Sequence, residues 1–389
     1  MTRITRKLLF VASFACATSF VVAQDKPINP IVTAVPSLTI APDARGGAMG
    51  DVGGATLPDL YSQHWNPAKF AFLQTKAGVA LSYTPWLRKL VSDIAMVYAS
   101  GFYKFGNEDN QALSSSIRYF SIGEIQETTA EGIFGAKVSP YEMAFDIAYS
   151  RKLTESFSGG VALRYIRTDY TSTADDGTTA GNAFAADVSG YNESYINVGQ
   201  SESLLGLGFN ISNIGSKISM DGGASEYFIP TNMRLGGSLT YPLDDYNTLA
   251  VSLDLNKLLV PSRPLQKDGE SDVDFIARVN DINKTGPIAG IFKSFGDSPY
   301  GFKGELEEVT WSLGTEYSYN NQFMVRGGYY NESMKQGNRK YFSFGAGFKM
   351  NVFQLDAAYL VSTAESNPLD QTLRFSLGFD MDGLKNLFK

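Results

Sequence analysis

Apolar and polar residues alternate with a period of two along most of this sequence, in segments of about ten residues. In YEMAFDIAYS, which begins at Tyr141, aromatic and aliphatic side chains fall on one face and polar or small side chains on the other. TLAVSLDLN from Thr248 and TLRFSLGFD from Thr372 repeat the pattern. Strict alternation predicts β-strands with one apolar face. Because soluble sandwiches alternate too, the connections between strands must decide the fold class.

About fourteen strand-like segments can be marked, and short and long joins alternate between them. Short turns on one side and long loops on the other are typical of outer-membrane barrels. Two joins depart from this pattern, since NESYINVGQSES is long for a periplasmic turn and TPWLRKLV is short for an outward loop. We therefore predict an all-β transmembrane outer-membrane β-barrel of about fourteen antiparallel strands. The segments start near residues 76, 91, 111, 141, 157, 183, 203, 233, 248, 309, 322, 340, 352 and 371.

The two faces of these strands differ in charge. One face is apolar and aromatic and suits lipid, whereas the other carries charged side chains and suits a polar lumen. The simplest role for these charges is to form ion pairs with one another across the lumen. They are Asp146, Arg164, Arg234, Asp254, Glu316, Arg326, Asp356 and Arg374.

The first 24 residues are typical of a cleaved signal peptide. Basic residues in MTRITRK precede the apolar run LLFVASFACATSFVV, and small residues follow near Ala23. The apolar run is too short for a membrane helix. A lipid anchor on Cys16 is disfavoured, because SFAC lacks the usual Leu three residues before the cysteine. We expect an exported chain, divided into a signal peptide (1–24), an N-terminal segment (25–75), a barrel (76–381) and a short tail (382–389).

Composition excludes several functions. One histidine, His64, and one cysteine leave little material for a metal centre or a Cys–His pair, and His64 lies in a segment without a nucleophile elbow. The net charge of −7 speaks against nucleic-acid binding. We therefore expect no catalytic residues, cofactor, metal or nucleic-acid partner.

The N-terminal segment crowds five glycines into nine residues of DARGGAMGDVGGAT, followed by YSQHWNPAKF. The spacing fits neither G-x-G-x-x-G nor a phosphate-binding loop that ends in lysine. Since the segment precedes the first strand, we predict a hatch inside the barrel, with glycines that let its backbone pack against the lumen wall. Asn66 and Pro67 then fix the turn into the first strand. The predicted hatch residues are Arg45, Gly46, Gly47, Gly50, Asp51, Gly53, Gly54, Asn66 and Pro67.

Apolar residues in the predicted outward loops point to contact with a partner. The join from Pro261 to Glu308 is too long for a turn, and it contains the apolar stretch IAGIFKSFG. Exposed apolar side chains there indicate either a partner or a lid over the barrel mouth. Tyr227 to Ile229 suit a contacting tip or a rim belt, and Trp86 suits an interfacial anchor. The candidate contact residues are Trp86, Tyr227, Phe228, Ile229, Ile288, Ile291, Phe292 and Phe295.

The combination of RGGAMGDVGGAT, QHWNPAK, a signal peptide, about fourteen strands and SNIG at 212–215 resembles the PorV (LptO) family of the Bacteroidetes type IX secretion system. That family is part of the FadL-like barrel superfamily, and PorQ-type proteins share its general plan. The resemblance covers essentially the whole mature chain.

The resemblance implies a non-enzymatic role in the outer membrane, among lipid and lipopolysaccharide. It implies binding of cargo proteins through their C-terminal secretion signal at the Sov/SprA translocon, and delivery of them to the PorU sortase complex. The alternative is FadL-type transport of a hydrophobic solute, which needs an apolar pocket and a lateral exit. A diffusion porin ranks third, because a glycine-rich N-terminal segment would obstruct the pore.

Overall fold

A computed structural model describes residues 28–87, 91, 93–128, 132, 134–171, 177–363 and 370–381. The predicted signal peptide, its cleavage site and Cys16 lie outside these residues, and so does the predicted tail at 382–389.

Fourteen antiparallel strands close into one barrel, in which each strand pairs with its neighbours in sequence and the last strand pairs with the first. A separate two-stranded hairpin, β4 with β5, extends one outer loop. The strands are β1 (Ala77–Pro85), β2 (Ala95–Phe105), β3 (Gln111–Ser121), β4 (Ile125–Thr128), β5 (Phe134–Val138), β6 (Tyr141–Lys152), β7 (Phe157–Asp169), β8 (Gly181–Val198), β9 (Ser201–Gly215), β10 (Asn232–Pro242), β11 (Asn247–Leu258), β12 (Thr310–Tyr319), β13 (Phe323–Asn331), β14 (Lys340–Met350), β15 (Phe353–Ser362) and β16 (Leu373–Asp380).

The structure confirms the alternation and the strand count. Each barrel strand begins within four residues of its predicted start. Leucine, valine and aromatic side chains stand exposed on the outer face, whereas all eight predicted lumen charges are buried. The long join after β8 is a tight turn at Gly199 and Gln200, because β8 and β9 run further than the alternation indicates.

The segment before β1 lies within the barrel. It contains two short helices, α1 (Ala44–Ala48) and α2 (Ser62–Trp65), and 3₁₀ turns at Pro36–Thr39 and Pro67–Phe72. Most of its residues from Ala41 to Phe72 are buried, and they include large apolar side chains such as Trp65 and Phe70 as well as glycine, alanine and charged residues. The segment is therefore held by apolar packing, by close backbone contact and by polar contacts with the wall.

The loop between β11 and β12 folds into three helices, α3 (Asp272–Asn283), α4 (Pro287–Lys293) and α5 (Gly301–Glu307). The Ser271 hydroxyl caps α3 by accepting from the Asp274 amide, and Pro287 opens α4 at a position that needs no amide donor. No helix in the described part of the chain is long and apolar enough to span a membrane.

Candidate functional site: the plugged lumen and the outer loops

Two of the hatch glycines surround the Trp65 ring. A Cβ atom on Gly46 would lie 2.4 Å from the ring and one on Gly53 would lie 2.2 Å from it. The Trp65 indole donates to Asp43 Oδ2 at 2.6 Å, and the same carboxylate caps α1 through the Gly46 amide. These two glycines therefore let the hatch pack against its own Trp65 ring. The prediction that they pack against the barrel wall is wrong.

The remaining hatch glycines, Gly47, Gly50 and Gly54, contact the barrel wall. Gly50 has a φ of +74°, and a Cβ there would lie 2.7 Å from the Tyr329 carbonyl oxygen. Gly47 and Gly54 abut the side chains of Arg374 and Arg234. The wall supplies glycine in return, since a Cβ on Gly328 would lie 2.0 Å from the backbone of Met49. Close backbone approach thus requires glycine on both surfaces.

A wall carboxylate occupies the amide cradle formed by the glycine-rich stretch. Asp254 Oδ2 accepts from the amides of Gly53 and Gly54 at 2.9 and 2.8 Å, and from Arg234 Nη1 at 3.1 Å. Consecutive backbone amides of this kind bind anions. Here the anion is part of the protein, so these two amides hold the hatch rather than a ligand.

Arg45 anchors the hatch at mid-lumen. Its guanidinium contacts Glu316 with both Nε and Nη2 at 3.0 Å and Asp59 with Nη1 at 2.5 Å. Glu316 also accepts from Arg326, which reaches Asp356 at 2.6 Å. The ion pairs predicted for the lumen charges are therefore present, and the hatch is part of the network. Removal of one partner from a buried ion pair of this type strongly destabilises the folded protein, because the other charge is left buried without a countercharge.

The other predicted hatch residues also bind the wall or turn the chain. Asp51 accepts from Arg374 at 2.7 Å and from the Tyr341 hydroxyl at 2.5 Å. Asn66 donates to the Gly54 and Gly190 carbonyls at 2.9 and 3.0 Å, and its Oδ1 accepts from the Ala68 amide beside Pro67.

The described chain begins at the end of the barrel that carries the long loops. We call residues 28–35 the N-terminal strap. The Asn29 amide donates to the Lys335 carbonyl at 3.0 Å, and its side chain donates to the Arg263 carbonyl at 2.8 Å. The Ala34 amide donates to the Phe228 carbonyl at 2.9 Å. The strap therefore ties three extracellular loops together before the chain descends to the periplasmic end.

The hatch divides the lumen into two cavities of about 440 Å³ each. We call the one on the long-loop side the extracellular vestibule. Its wall is mixed: five arginines and four carboxylates lie beside apolar side chains such as Leu38, Trp86 and Leu258. The charged groups distinguish this cavity from a purely apolar pocket for a hydrophobic solute.

The predicted contact residues divide into three groups. Ile288, Phe292 and Phe295 are exposed in and just after α4, and Ile291 is half-buried beside them. Tyr227 is exposed and Phe228 is half-buried; a Cβ on Gly290 would lie 3.0 Å from the Phe228 ring, so this tip packs on α4.

Two of those assignments need correction. Ile229 is 2% exposed and packs with Val35, Leu38 and Ile218, so it belongs to the core beneath the loop rather than to a contacting tip. Trp86 is half-buried, lies edge-on to Phe120 and lines the extracellular vestibule, so it is not an anchor on the lipid side. The parity of β1 could have shown this, because Trp86 continues the lumen-facing set of Ser82 and Thr84.

Four exposed apolar residues on the loop helices were not among the predicted contact residues. They could have been found from helical spacing, since Val273 and Ile276 are three residues apart and Phe302 and Leu306 are four apart. The full set, which we call the apolar loop face, is Val273, Ile276, Ile288, Phe292, Phe295, Phe302 and Leu306.

A closed barrel of fourteen strands with an apolar outer face, a charged lumen and an internal hatch defines an outer-membrane barrel of the FadL-like type. Two crystal structures of the Pseudomonas putida toluene transporter TodX match it with TM-scores of 0.51 and 0.52, at 12% and 11% identity. They cover 91% and 87% of this chain and 99% and 97% of theirs. A Pseudomonas aeruginosa FadL homologue also matches, at 12% identity and a TM-score of 0.44, with 90% of this chain and 99% of that one covered. Likeness at this identity shows the fold alone.

The family model described as Type IX secretion system protein PorV matches residues 22–265, and the chain belongs to this family. No curated protein matches the sequence. The chain is therefore an outer-membrane barrel of the type IX secretion system.

Proposed function

We propose that this barrel binds cargo proteins through their C-terminal secretion signal at the Sov/SprA translocon and passes them to the PorU sortase complex. The role is accessory and non-enzymatic. The observation that supports it best is the apolar loop face, which stands at the extracellular end of the barrel. Membership of the PorV family supplies the context, and lipid and lipopolysaccharide surround the barrel.

The most exposed members of the apolar loop face leave it open to a partner. Phe302, Val273 and Phe292 are 79%, 77% and 76% exposed. A lid that folded over the vestibule would bury such side chains, so their exposure favours contact with another protein.

The loop is tied to the barrel while it presents this face. Lys257, at the end of β11, forms ion pairs with Glu305 at 2.9 Å and Glu308 at 2.6 Å. The Ser262 hydroxyl donates to Glu308 at 2.6 Å. Since the anchoring groups are buried or nearly so, the helices are held in position before any partner arrives. Preorganisation of this kind lowers the entropic cost of binding.

Transport of a hydrophobic solute, as in the toluene transporter TodX, is the second candidate. The barrel has one register break, between Ala186 and Val188 where β8 pairs with β9. A break in strand pairing could form a lateral exit, but Asp187 there is buried and paired with Arg164 at 2.9 Å. The sealed break and the charged vestibule favour the secretion role.

The test replaces two exposed side chains of the apolar loop face. We expect Phe292→Ser with Phe302→Ser to reduce recovery of cargo with the barrel, because loss of two large apolar contacts at an interface typically costs more than about 2 kcal/mol. Leu153→Ser is the matched control, since Leu153 is 63% exposed in a periplasmic turn. Secretion and co-purification of cargo are measured in cells that carry each variant. Equal recovery with the double variant and the control would contradict this proposal.

A further inference from the structure

The hairpin formed by β8 and β9 continues beyond both neighbouring strands at the periplasmic end of the barrel. β7 pairs with β8 only as far as Asn192, and β10 pairs with β9 only as far as Leu204. The ladder between β8 and β9 itself continues to the turn at Gly199 and Gln200. We call residues 193–204 the periplasmic hairpin, and we propose that its β8 edge accepts an added strand, with alternating basic and apolar side chains, from a periplasmic protein.

The β8 edge of this hairpin presents backbone groups that have no strand partner in the described chain. The Glu193 amide donates to the Ser156 carbonyl at 2.9 Å, so the odd-numbered residues here direct their backbone groups towards the β7 side. Hydrogen-bonding direction alternates along an antiparallel strand, so the amides and carbonyls of Tyr195 and Asn197 lie on that side too, where β7 has ended. Such groups can bind an added strand, the mode called β-augmentation.

The sequence of this edge favours strand addition. Proteins usually protect an exposed edge with lysine or proline. On the other side of the hairpin, Pro242 has no amide with which β10 could extend its pairing to β9. The β8 edge at 194–198 has neither lysine nor proline, and it contains tyrosine, isoleucine and valine, which favour strands. The open edge is therefore competent to pair.

The two faces of the periplasmic hairpin define the chemistry of the added strand. One face borders the cavity on the periplasmic side of the hatch and carries Glu193, Tyr195, Asn197 and Glu202. The opposite face carries Ile196 and Val198. Since side chains of paired strands meet on the same face, every second residue of the added strand lies beside each set. The strand that fits is basic at the positions facing the carboxylates and apolar at the positions between them.

The carboxylates around the hairpin have no countercharge. The periplasmic segments 153–156, 193–203 and 243–246 contain neither lysine nor arginine. Their acidic residues are Glu155, Glu193, Glu202, Asp244 and Asp245, and none of these forms an ion pair within the described part of the chain. Lys152, just before the first segment, places its ammonium 4.2 Å from the centre of the Phe72 ring. This charge favours a basic partner, and the inference does not depend on the proposed binding of cargo.

The test measures binding of a synthetic strand to the detergent-solubilised full chain. The probe is a fluorescent octapeptide of alternating lysine and valine, and the comparison peptide has glutamate in place of lysine. We expect the basic peptide to bind at least about tenfold more tightly than the acidic one. Absence of binding of the basic peptide up to about 1 mM, or equal binding of both peptides, would overturn the proposal. Binding that appears only after removal of residues 382–389 would assign the edge to the chain's own tail and would also overturn it.

A variant pair and a modified peptide separate strand addition from attraction by charge alone. Asn197→Pro removes an amide that points away from β9, and proline is tolerated at such an edge position. Binding of the basic peptide should weaken about tenfold or more in this variant and stay within about threefold in Asn197→Thr, which keeps the amide. N-methylation of the peptide backbone, which leaves the protein and the charge unchanged, should also weaken binding about tenfold. Equal affinity of the two variants or of the two peptides would contradict strand addition.

Photocrosslinking in intact cells tests for the natural partner. With benzoylphenylalanine in place of Tyr195, which is 69% exposed, irradiation should produce an adduct with a periplasmic protein. Asn197→Pro should abolish the adduct and Asn197→Thr should leave it unchanged. Absence of any adduct, or an adduct that Asn197→Pro does not affect, would count against the proposal.

Discussion

Gly328→Ala tests whether close contact between the backbones of the hatch and the barrel wall holds the hatch inside the barrel. The added Cβ would lie 2.0 Å from the carbonyl carbon of Met49 and 2.3 Å from the Gly50 nitrogen. Both are backbone atoms, and the Gly50 amide is held by the Ser343 hydroxyl at 2.7 Å, so no side-chain rotation relieves the clash. Overpacking of this kind costs about 1–3 kcal/mol. The equilibrium between the hatch bound inside the barrel and the hatch released from it should therefore shift towards release by a factor of roughly 5 to 150.

The assay is ion conductance of the barrel in a planar lipid bilayer. A released hatch joins the two luminal cavities, so Gly328→Ala should show channel openings that the unaltered chain does not. Gly327→Ala is the matched control on the same strand, since its Cβ faces outward with 3.9 Å to the nearest atom. Equal conductance of the two variants, with both barrels folded, would refute the reasoning about close backbone contact.

Three further predictions concern the wall, the outer loop and the strap. Asp254→Asn leaves Arg234 buried without a countercharge and should lower the free energy of unfolding by about 3–5 kcal/mol. Urea unfolding should show a lower midpoint for this variant than for the control Ser252→Ala. Burial raises the pKa of Asp297 from its ordinary value to about 6. Between these two pKa values the folded loop therefore binds more protons than the unfolded loop. The contribution of Asp297 to loop stability is full below pH ~4 and is lost as pH rises through ~6. Limited proteolysis of the loop at several pH values measures this loss, which should be absent in Asp297→Asn. Ile28→Cys, in the strap, should react with a membrane-impermeant maleimide on intact cells, whereas labelling only after lysis would contradict the extracellular position of the strap.

Strand parity made the barrel predictable, because a lipid face and a charged lumen leave a period-two signal in every strand. The glycine crowding also identified a segment packed inside the barrel. The partners of those glycines could not be predicted, since Trp65 comes nineteen and twelve residues after Gly46 and Gly53 and only the folded path brings it between them.

The loop residues show a different limit. Ile229 and Phe292 look alike in sequence, as apolar residues in long polar loops. Ile229 is buried because the strap passes over it, through contacts far apart along the chain. Periodicity carries no information about such contacts, whereas helical spacing would have identified the rest of the apolar loop face.

The most direct test of the central claim is the fate of cargo in cells that lack this barrel. Mass spectrometry of the periplasm should find type IX cargo retained there with its C-terminal signal uncleaved, and reintroduction of the unaltered chain should restore secretion. Normal secretion and cleavage of cargo in the deletion strain, together with loss of uptake of a hydrophobic solute, would contradict the secretion role and favour transport.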